Sequence, residues 1–126
     1  MAPQEGAEAN PVRRGEIFWA DLSPRSGSEQ RGRRPVVLVS HDAFNLSPGW
    51  RSILVVPLSR SGAQPRRGPT AVVLPAGSGG LTEPGVALCH QVTTLDRSKL
   101  GNRIGALVPD LLAGIDVGLR AALNLD

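Results

Sequence analysis

Short apolar runs separated by turn-forming residues occupy most of the chain between residues 16 and 107, and such runs are typical of β-strands. The run 35–40 begins with five consecutive apolar residues, which indicates a strand covered on both faces and central in its sheet. Pro57 lacks an N–H, so we expect irregular pairing near the end of its strand. The other predicted strands are 16–22, 52–58, 70–74, 86–92 and a short one near 103–107.

Alternation divides the run 86–92 between the two faces of a half-buried strand. His90 shares its face with three apolar residues and lies in the middle of the strand, so we expect a hydrogen-bonded core or interface histidine. Gln91 is on the opposite face, where its amide can bind a neighbouring loop or a nucleic acid. Cys89 is predicted to be a small buried hydrophobic residue.

A helical period replaces the strand pattern near the C-terminus. Pro109 suits the first turn of a helix, and a single apolar stripe follows it, formed by Leu111, Leu112, Ile115, Leu119, Ala122 and Leu123. Gly114 and Gly118 each weaken this helix by about 1 kcal/mol relative to alanine, so we expect it to pack against the body or a partner. Short strands followed by one helix predict an α+β class, a small and mostly β barrel-like domain.

Residues 1–13 are polar and non-periodic, which predicts a disordered arm followed by one domain, 14–126. The chain contains no apolar window of membrane-spanning length and no signal peptide at its start, so we expect a soluble, cytoplasmic protein without a membrane partner. One cysteine and two histidines cannot form the usual zinc site, and neither a metal nor another cofactor is expected.

The charge pattern points to a polyanionic partner. The formal net charge is +3, and arginine supplies all but one of the 14 basic residues. Two loops rich in glycine, proline and serine carry arginine clusters: Arg25, Arg31, Arg33 and Arg34 in the first, and Arg60, Arg66 and Arg67 in the second. Such loops favour phosphate contacts, although basic loops also occur as plain solvated surface.

Metal-assisted hydrolysis is not favoured, because the carboxylates are scattered without the spacing that holds a divalent pair. A basic domain that cleaves a nucleic acid without metal can use the ribose 2′-OH as an internal nucleophile, and only RNA carries that group. The products would then be a 2′,3′-cyclic phosphate and a 5′-OH.

One strand register brings a cation and a hydroxyl together. If 35–40 and 53–58 pair antiparallel with Ser40 opposite Ile53, then Arg34 lies opposite Ser59, whereas a slip of one residue turns the side chains to opposite faces. The favoured register places both groups at a barrel rim, where they can stabilise charge on a phosphorane. The alternative interpretations are that Arg34 is an ordinary salt-bridged arginine and that Ser59 is a turn residue at the end of a strand.

His41 is expected to cap a turn. Trp19 and Trp50 are expected to pack in the core rather than to stack on bases.

Five segments resemble one known family in order and spacing: 14–22, 27–30 with 34–37, 53–59, 88–91 and 96–100. Together they closely resemble the MazF/PemK toxin family, over about residues 13–123. The resemblance implies an SH3-like barrel, a homodimer and a sequence-specific, metal-independent endoribonuclease. It further implies that the enzyme cleaves single-stranded mRNA, inhibits translation and growth, is neutralised by a cognate antitoxin, and meets DNA only through the antitoxin complex.

The resemblance also assigns residues. The family's catalytic arginine precedes Pro-Val and its catalytic hydroxyl follows the third strand; these positions map onto Arg34 and Ser59, the latter being more often threonine in the family. Glu29 and Gln30 match a loop motif that shapes the RNA groove. The full set of candidate RNA-binding residues is Arg25, Ser28, Glu29, Gln30, Arg31, Arg33, Arg60, Arg66, Arg67 and Gln91.

Two other functions fit the same sequence. The barrel and its basic loops would also suit a non-catalytic SH3-like module that binds RNA or the ribosome, because a fold does not fix a function. A toxin-like dimer that has lost activity and only binds an antitoxin is the second alternative, since Ser59 departs from the commoner threonine. Discrete RNA fragments would separate the endoribonuclease from both.

Overall fold

The computed structural model describes residues 11–23, 27, 29–30, 32–60 and 68–126. Residues 1–10 of the predicted arm lie outside these ranges. Within the arm, the side chain of Val12 is buried in the core and the backbone N–H of Arg13 donates to Glu16. The packed part of the described chain therefore includes residues 12 and 13, which the sequence pattern assigned to the arm.

The described residues form an antiparallel sheet of seven strands with a C-terminal helix. The elements are β1 (Glu16–Asp21), β2 (Arg33–Leu38), α1 (Asp42–Asn45), β3 (Ser52–Ser59), β4 (Ala71–Leu74), β5 (Gly85–Leu88), β6 (Thr93–Asp96), β7 (Leu100–Ala106) and α2 (Pro109–Leu123). The strand order is β4-β5-β3-β2-β1-β7, and β6 pairs with β3 beside β5. The predicted class, a mostly β α+β domain with a small barrel and a C-terminal helix, is confirmed.

The register between β2 and β3 is the one that the sequence favoured. Val36 lies opposite Pro57, Val37 opposite Val56, and Leu38 opposite Val55. On its other edge, β3 pairs with β6 as far as Val55 and with β5 from Leu58 onward. Pro57, which has no N–H to donate, falls between these two pairings, so the predicted irregularity is also confirmed.

Two apolar clusters lie on opposite faces of the central strands, as alternation requires. The helix-side cluster packs under α2; its buried members are Ile17, Val37, Val39, Val56, Leu58, Leu74, Ala87, Cys89, Leu107 and Ile115. The far-side cluster is formed by Val12, Phe18, Ala20, Leu22, Val36, Leu38, Ile53, Val55 and Leu95. Strands β1, β2 and β3 therefore contribute to both clusters, and their ends are held in position from both sides.

Helix α2 begins at Pro109 as predicted and packs its apolar stripe on the helix-side cluster. A Cβ at Gly118 would lie 2.7 Å from Cys89 Sγ and 2.9 Å from Val72 Cγ2, so glycine permits the close approach of the helix. Leu123, at the end of the stripe, is 54 % exposed, so the body of the chain does not cover this residue. Cys89 is fully buried, as predicted.

The predicted strand 86–92 ends early. Strand β5 stops at Leu88, and Cys89–Gln91 form a single 3-10 turn that the N–H of Val92 closes onto the carbonyl of Cys89. His90 is consequently exposed rather than buried in a strand. Strand β6 was missed because 93–96 contains a single apolar residue, Leu95, and the segment is ordered by pairing with β3.

Two aromatic predictions fail, and one capping prediction succeeds. Trp50 is 46 % exposed and packs against Phe44 at a ring-centroid distance of 4.7 Å, outside both clusters. Trp19 is partly exposed as well. His41 caps α1, and its Nδ1 accepts from the backbone N–H of Ala43 at 2.9 Å. Neither helix in the described ranges is long and apolar enough to span a membrane.

Candidate active site

Arg34 and Ser59 line one groove of about 580 Å³, here called the Arg34 groove. Its remaining walls come from Trp19, Arg33, Pro35, Leu58, Arg60, Asn102, Arg103, Ile104 and the segment 80–85. Ser59 is 4 % exposed and Arg34 is partly buried. Both side chains therefore sit in a recess rather than on open surface, as expected for groups that act on a bound substrate.

Strand alternation explains why these two residues meet. Arg34 is on the face of β2 that carries Val36 and Leu38, and Ser59 is on the face of β3 that carries Val55. These apolar residues belong to the far-side cluster, so Arg34 and Ser59 project from the same face of the sheet. Arg34 lies near the start of β2 and Ser59 lies at the end of β3. These two strand ends are adjacent because the strands pair antiparallel.

Arg33 and Trp19 line the same groove from the other strand face. They lie on the other strand face, and the guanidinium carbon of Arg33 sits 4.6 Å from the centre of the Trp19 ring. The position of Trp19 along β1 explains its partial exposure. It shares a face with the fully buried Ile17 but lies two residues closer to the end of β1, where the core gives way to the groove.

The Arg34 groove is electropositive. Among its described lining residues, four arginines stand against one carboxylate, Glu83, which accepts a hydrogen bond from Arg60 at 3.1 Å. Arg103 likewise donates to Glu16 at 2.7 Å. Both partners of the Arg60–Glu83 pair are exposed and the pair contributes little to stability, so Arg60 can turn towards an anionic ligand at small cost, whereas Glu16 is only 14 % exposed and holds Arg103 more firmly.

A smaller pocket of about 190 Å³ lies beside the groove, here called the loop pocket. It is lined by Leu22, Glu29, Gln30, Pro57, His90, Gln91, Val92 and Thr93. The backbone N–H of Gln30 donates to Oε1 of Gln91 at 2.8 Å, so Gln91 makes the loop contact that the sequence left as one of two options. His90 faces solvent, and its Nδ1 is 3.4 Å from the Thr70 hydroxyl.

Five of the predicted RNA-binding residues lie outside the described residues: Arg25, Ser28, Arg31, Arg66 and Arg67. Of the others, Arg33 and Arg60 line the Arg34 groove, and Glu29, Gln30 and Gln91 line the loop pocket. In the part of the chain that is described, no three histidine, cysteine or acidic side chains are grouped to hold a metal ion.

Sequence reasoning missed the groove residues contributed by 80–85 and 102–104. Strand β7 pairs with β1, and the turn Ser78–Gly80 packs directly on β7, where a Cβ at Gly105 would collide with the carbonyl oxygen of Gly79. The paired glycines at 79 and 105 are the one signal for this approach, since glycine marks sites where backbones come close. This contact carries Glu83 and Arg103 to the groove.

The titratable groups with clear shifts lie away from the groove. Burial raises the pKa of the Cys89 thiol to about 11, which makes it a poor nucleophile at neutral pH. Hydrogen bonds from the Ser98 hydroxyl and backbone N–H, together with Arg51, hold the pKa of Asp96 well below its usual range. These residues have structural rather than chemical roles.

Comparison with known proteins identifies the family. The family described as PemK-like, MazF-like toxin of type II toxin-antitoxin system matches residues 13–123. Endoribonuclease MazF2 of Mycobacterium bovis is 35 % identical over 114 residues, covering 90 % of this chain and 98 % of the relative. Endoribonuclease EndoA of Bacillus subtilis is 34 % identical over 115 residues, covering 90 % of this chain and 96 % of the relative.

Solved structures agree with the sequence match. The chain resembles MazF from Deinococcus radiodurans with a TM-score of 0.74 and 28 % identity, over 91 % of this chain and 98 % of that one. It also resembles an endoribonuclease from Mycobacterial species in complex with its cognate antitoxin, with a TM-score of 0.71 and 26 % identity, over 93 % and 97 % of the two chains. The resemblance noted in the sequence is confirmed: the chain belongs to the PemK-like, MazF-like toxin family of type II toxin-antitoxin systems.

Proposed function

We propose that this protein is a sequence-specific, metal-independent endoribonuclease toxin that cleaves single-stranded RNA and is neutralised by a cognate antitoxin. The observation that carries the proposal is the position of Arg34 and Ser59 in one electropositive groove, on one face of the sheet. Membership of a family whose relatives are named endoribonucleases supports the reaction class.

The proposed reaction is a transesterification within the RNA. The ribose 2′-oxygen attacks the adjacent phosphorus, the bond from phosphorus to the 5′-oxygen of the next nucleotide breaks, and that oxygen leaves with a proton as a 5′-OH. The other fragment keeps a 2′,3′-cyclic phosphate, so no water and no redox partner are consumed. Negative charge grows on the non-bridging oxygens as the phosphorane forms.

Arg34 and Ser59 suit this charge distribution. The Arg34 guanidinium presents several N–H donors in a rigid fork, which fits two phosphate oxygens at once. The Ser59 hydroxyl supplies a further donor. Donors already fixed where charge develops stabilise the transition state without reorganising, and a recessed site strengthens their effect.

The surrounding groove supports an RNA chain as substrate. Arg33, Arg60 and Arg103 line the same groove and can bind phosphates on either side of the scissile bond. The carboxylates nearby, Glu83 and Glu16, are paired with arginines and are not grouped for metal binding. This donor set supports the proposal that the reaction proceeds without a metal ion.

An antitoxin and a second copy of the chain are the proposed protein partners. A related Mycobacterial endoribonuclease has been solved with its cognate antitoxin, and an acidic segment would complement the four groove arginines. Outside the packed stripe of α2, Val117 and Leu123 are exposed, as is Leu125 just beyond the helix. A homodimer that covers these side chains would remove apolar surface from water.

The test is cleavage of a long single-stranded RNA by purified protein in excess EDTA, followed by analysis of the fragment ends. We expect discrete fragments with a 2′,3′-cyclic phosphate and a 5′-OH. A substrate with a single 2′-deoxyribose at the scissile nucleotide must resist cleavage. Fragments bearing a 5′-phosphate, or cleavage of the deoxy substrate, would show that water is the nucleophile and would remove the mechanism. Binding without fragments would indicate a non-catalytic RNA-binding module.

A further inference from the structure

An ion pair joins two parts of the lining of the Arg34 groove. Arg60 directly follows Ser59, the last residue of β3, and its Nη1 donates to Oε1 of Glu83 at 3.1 Å. Glu83 belongs to the segment 80–85, which lines the same groove. The ion pair therefore connects the end of the strand that carries the candidate catalytic serine to a segment that comes from the turn packed on β7.

The backbone that carries Glu83 is anchored on both sides. On one side, a Cβ at Gly80 would lie 2.5 Å from the carbonyl oxygen of Ile104, so the two backbones are in close contact. On the other side, Gly85 begins β5 and pairs with Leu74 of β4. Because four residues separate Gly85 from the β7 contact, Glu83 has a defined backbone position beside its arginine partner, and the pair can separate by rotation of the two side chains alone.

The pair is weak enough for an anionic ligand to open it. The side chains of Arg60 and Glu83 are 73 % and 60 % exposed, and an exposed pair of this kind changes an equilibrium by about fivefold or less. A guanidinium fork fits phosphate and carboxylate oxygens in the same way, so a phosphate and Glu83 compete for the same N–H donors. Glu83 is also the one carboxylate among the described residues that line this groove, where it stands against four arginines.

From these observations we propose that the Arg60–Glu83 pair is a strap on the Arg34 groove, which an RNA backbone has to open before Arg60 can bind a phosphate. Glu83 is an internal competitor of the substrate, so the free protein keeps one of its cationic contacts occupied. The competition lowers RNA affinity for every base sequence alike, because a phosphate contact carries no sequence information. This inference rests on the proposed function, since it identifies a contact that limits entry of the proposed substrate.

The experiment measures binding of a labelled single-stranded RNA in which 2′-fluoro groups replace every 2′-OH, so that it cannot be cleaved by transesterification. Wild type, Glu83→Gln, Arg60→Gln and the double variant are compared at about 0.15 M salt, where charges more than about 8 Å apart are largely screened. We expect Glu83→Gln to bind about threefold to fivefold more tightly than wild type, and Arg60→Gln to bind more weakly. In the Arg60→Gln background, Glu83→Gln should add less than about twofold, because the contested guanidinium is gone.

Salt dependence and a matched charge change complete the design. The slope of log K against log salt should be steeper by about 0.7 in Glu83→Gln, because in wild type the carboxylate freed by RNA takes up a counterion again. Asp110→Asn makes the same change of charge at an exposed residue in the first turn of α2, outside the groove lining. Its affinity should stay within about twofold of wild type.

Unchanged affinity in Glu83→Gln would overturn the strap, as would an equal gain in the Arg60→Gln background, which would indicate general repulsion by the carboxylate. Single-turnover cleavage of the ordinary RNA gives a second readout. If Glu83→Gln binds like wild type but loses kcat by about 100-fold or more, Glu83 takes part in the chemistry and the strap is wrong. If wild type cleaves no RNA yet the affinities rank as expected, the proposed function fails and the strap stands. If it cleaves RNA and the affinities do not rank in this way, the strap fails and the function stands.

Discussion

Replacement of Arg34 by alanine tests the candidate site most directly, and its neighbour Arg33 provides a matched control. The two residues are adjacent on β2 and line the same groove, but they project from opposite faces of the strand. Arg34 shares its face with Ser59, whereas Arg33 lies over the Trp19 ring. The two substitutions therefore remove the same positive charge, one at the proposed reaction centre and one on the other face of β2.

The structure predicts different kinetic effects for the two variants. A guanidinium about 4 Å from a full negative charge contributes about 4 kcal/mol at the effective dielectric of a partly buried site, and about 1 kcal/mol in water. Arg34 is partly buried beside the buried Ser59, so Arg34→Ala should lower kcat by about 100- to 1,000-fold with little change in KM. Arg33 is exposed, so Arg33→Ala should mainly raise KM, by about fivefold or less.

The assay is single-turnover cleavage of a labelled RNA over a range of enzyme concentrations, which separates the chemical step from binding. Circular dichroism and thermal unfolding of each variant check that the fold is intact. Salt dependence adds a second readout, because loss of one phosphate contact by Arg33→Ala should reduce the slope of log K against log salt by about 0.7. Equal losses of kcat in the two variants would refute the reasoning, as would an Arg34→Ala variant that changes KM alone.

Ser59→Ala should lose less activity than Arg34→Ala, and Ser59→Thr should keep or raise activity because the hydroxyl survives; a fully active Ser59→Ala would remove Ser59 from the mechanism. Gly118→Ala should destabilise the fold by about 1–3 kcal/mol in urea unfolding, since its Cβ would meet Cys89 Sγ at 2.7 Å. Gly114→Ala, whose Cβ meets Val72 at an ordinary 3.6 Å, should instead stabilise α2 by about 1 kcal/mol. The lowered pKa of Asp96 stabilises the fold at pH values above the unfolded pKa of about 3.9, and this stability is lost as the pH falls towards the folded pKa. Asp96→Asn should therefore make the urea midpoint of unfolding less dependent on pH on the acid side. An unchanged pH dependence would contradict this.

Local sequence patterns were sufficient for most of the strands and for the C-terminal helix. Alternation and the run 35–40 predicted the central strands, and Pro109 with its apolar stripe predicted α2. The register of β2 against β3 matches the one that would place Arg34 opposite Ser59, but both faces of these strands are buried, so the apolar pattern alone does not select it. The juxtaposition of Arg34 and Ser59 in one groove follows from that register, while their catalytic roles stay a prediction.

The tertiary structure decided the features that depend on contacts between distant segments. His90 fits a strand pattern, but the ladder between β4 and β5 ends at Leu88 and a turn exposes the imidazole. Trp19 fits a core position, but on its face of β1 the helix-side cluster ends at Ile17, and Trp19 lines the groove instead. Strand β6 carries too little apolar pattern to be predicted and exists because β3 offers it an unpaired edge.

The same distinction applies to the candidate site. The charge of the groove could be predicted from the sequence because residue type is a local property, and the meeting of its two central residues could be predicted once one register of their strands was assumed. Its outer wall, from 80–85 and 102–104, and the loop pocket around Gln30 could not, because they form where a turn packs on β7 and where a loop bonds to Gln91. Such contacts join residues separated by about twenty to sixty positions in the chain, and no hydrophobic periodicity within a short segment can indicate them.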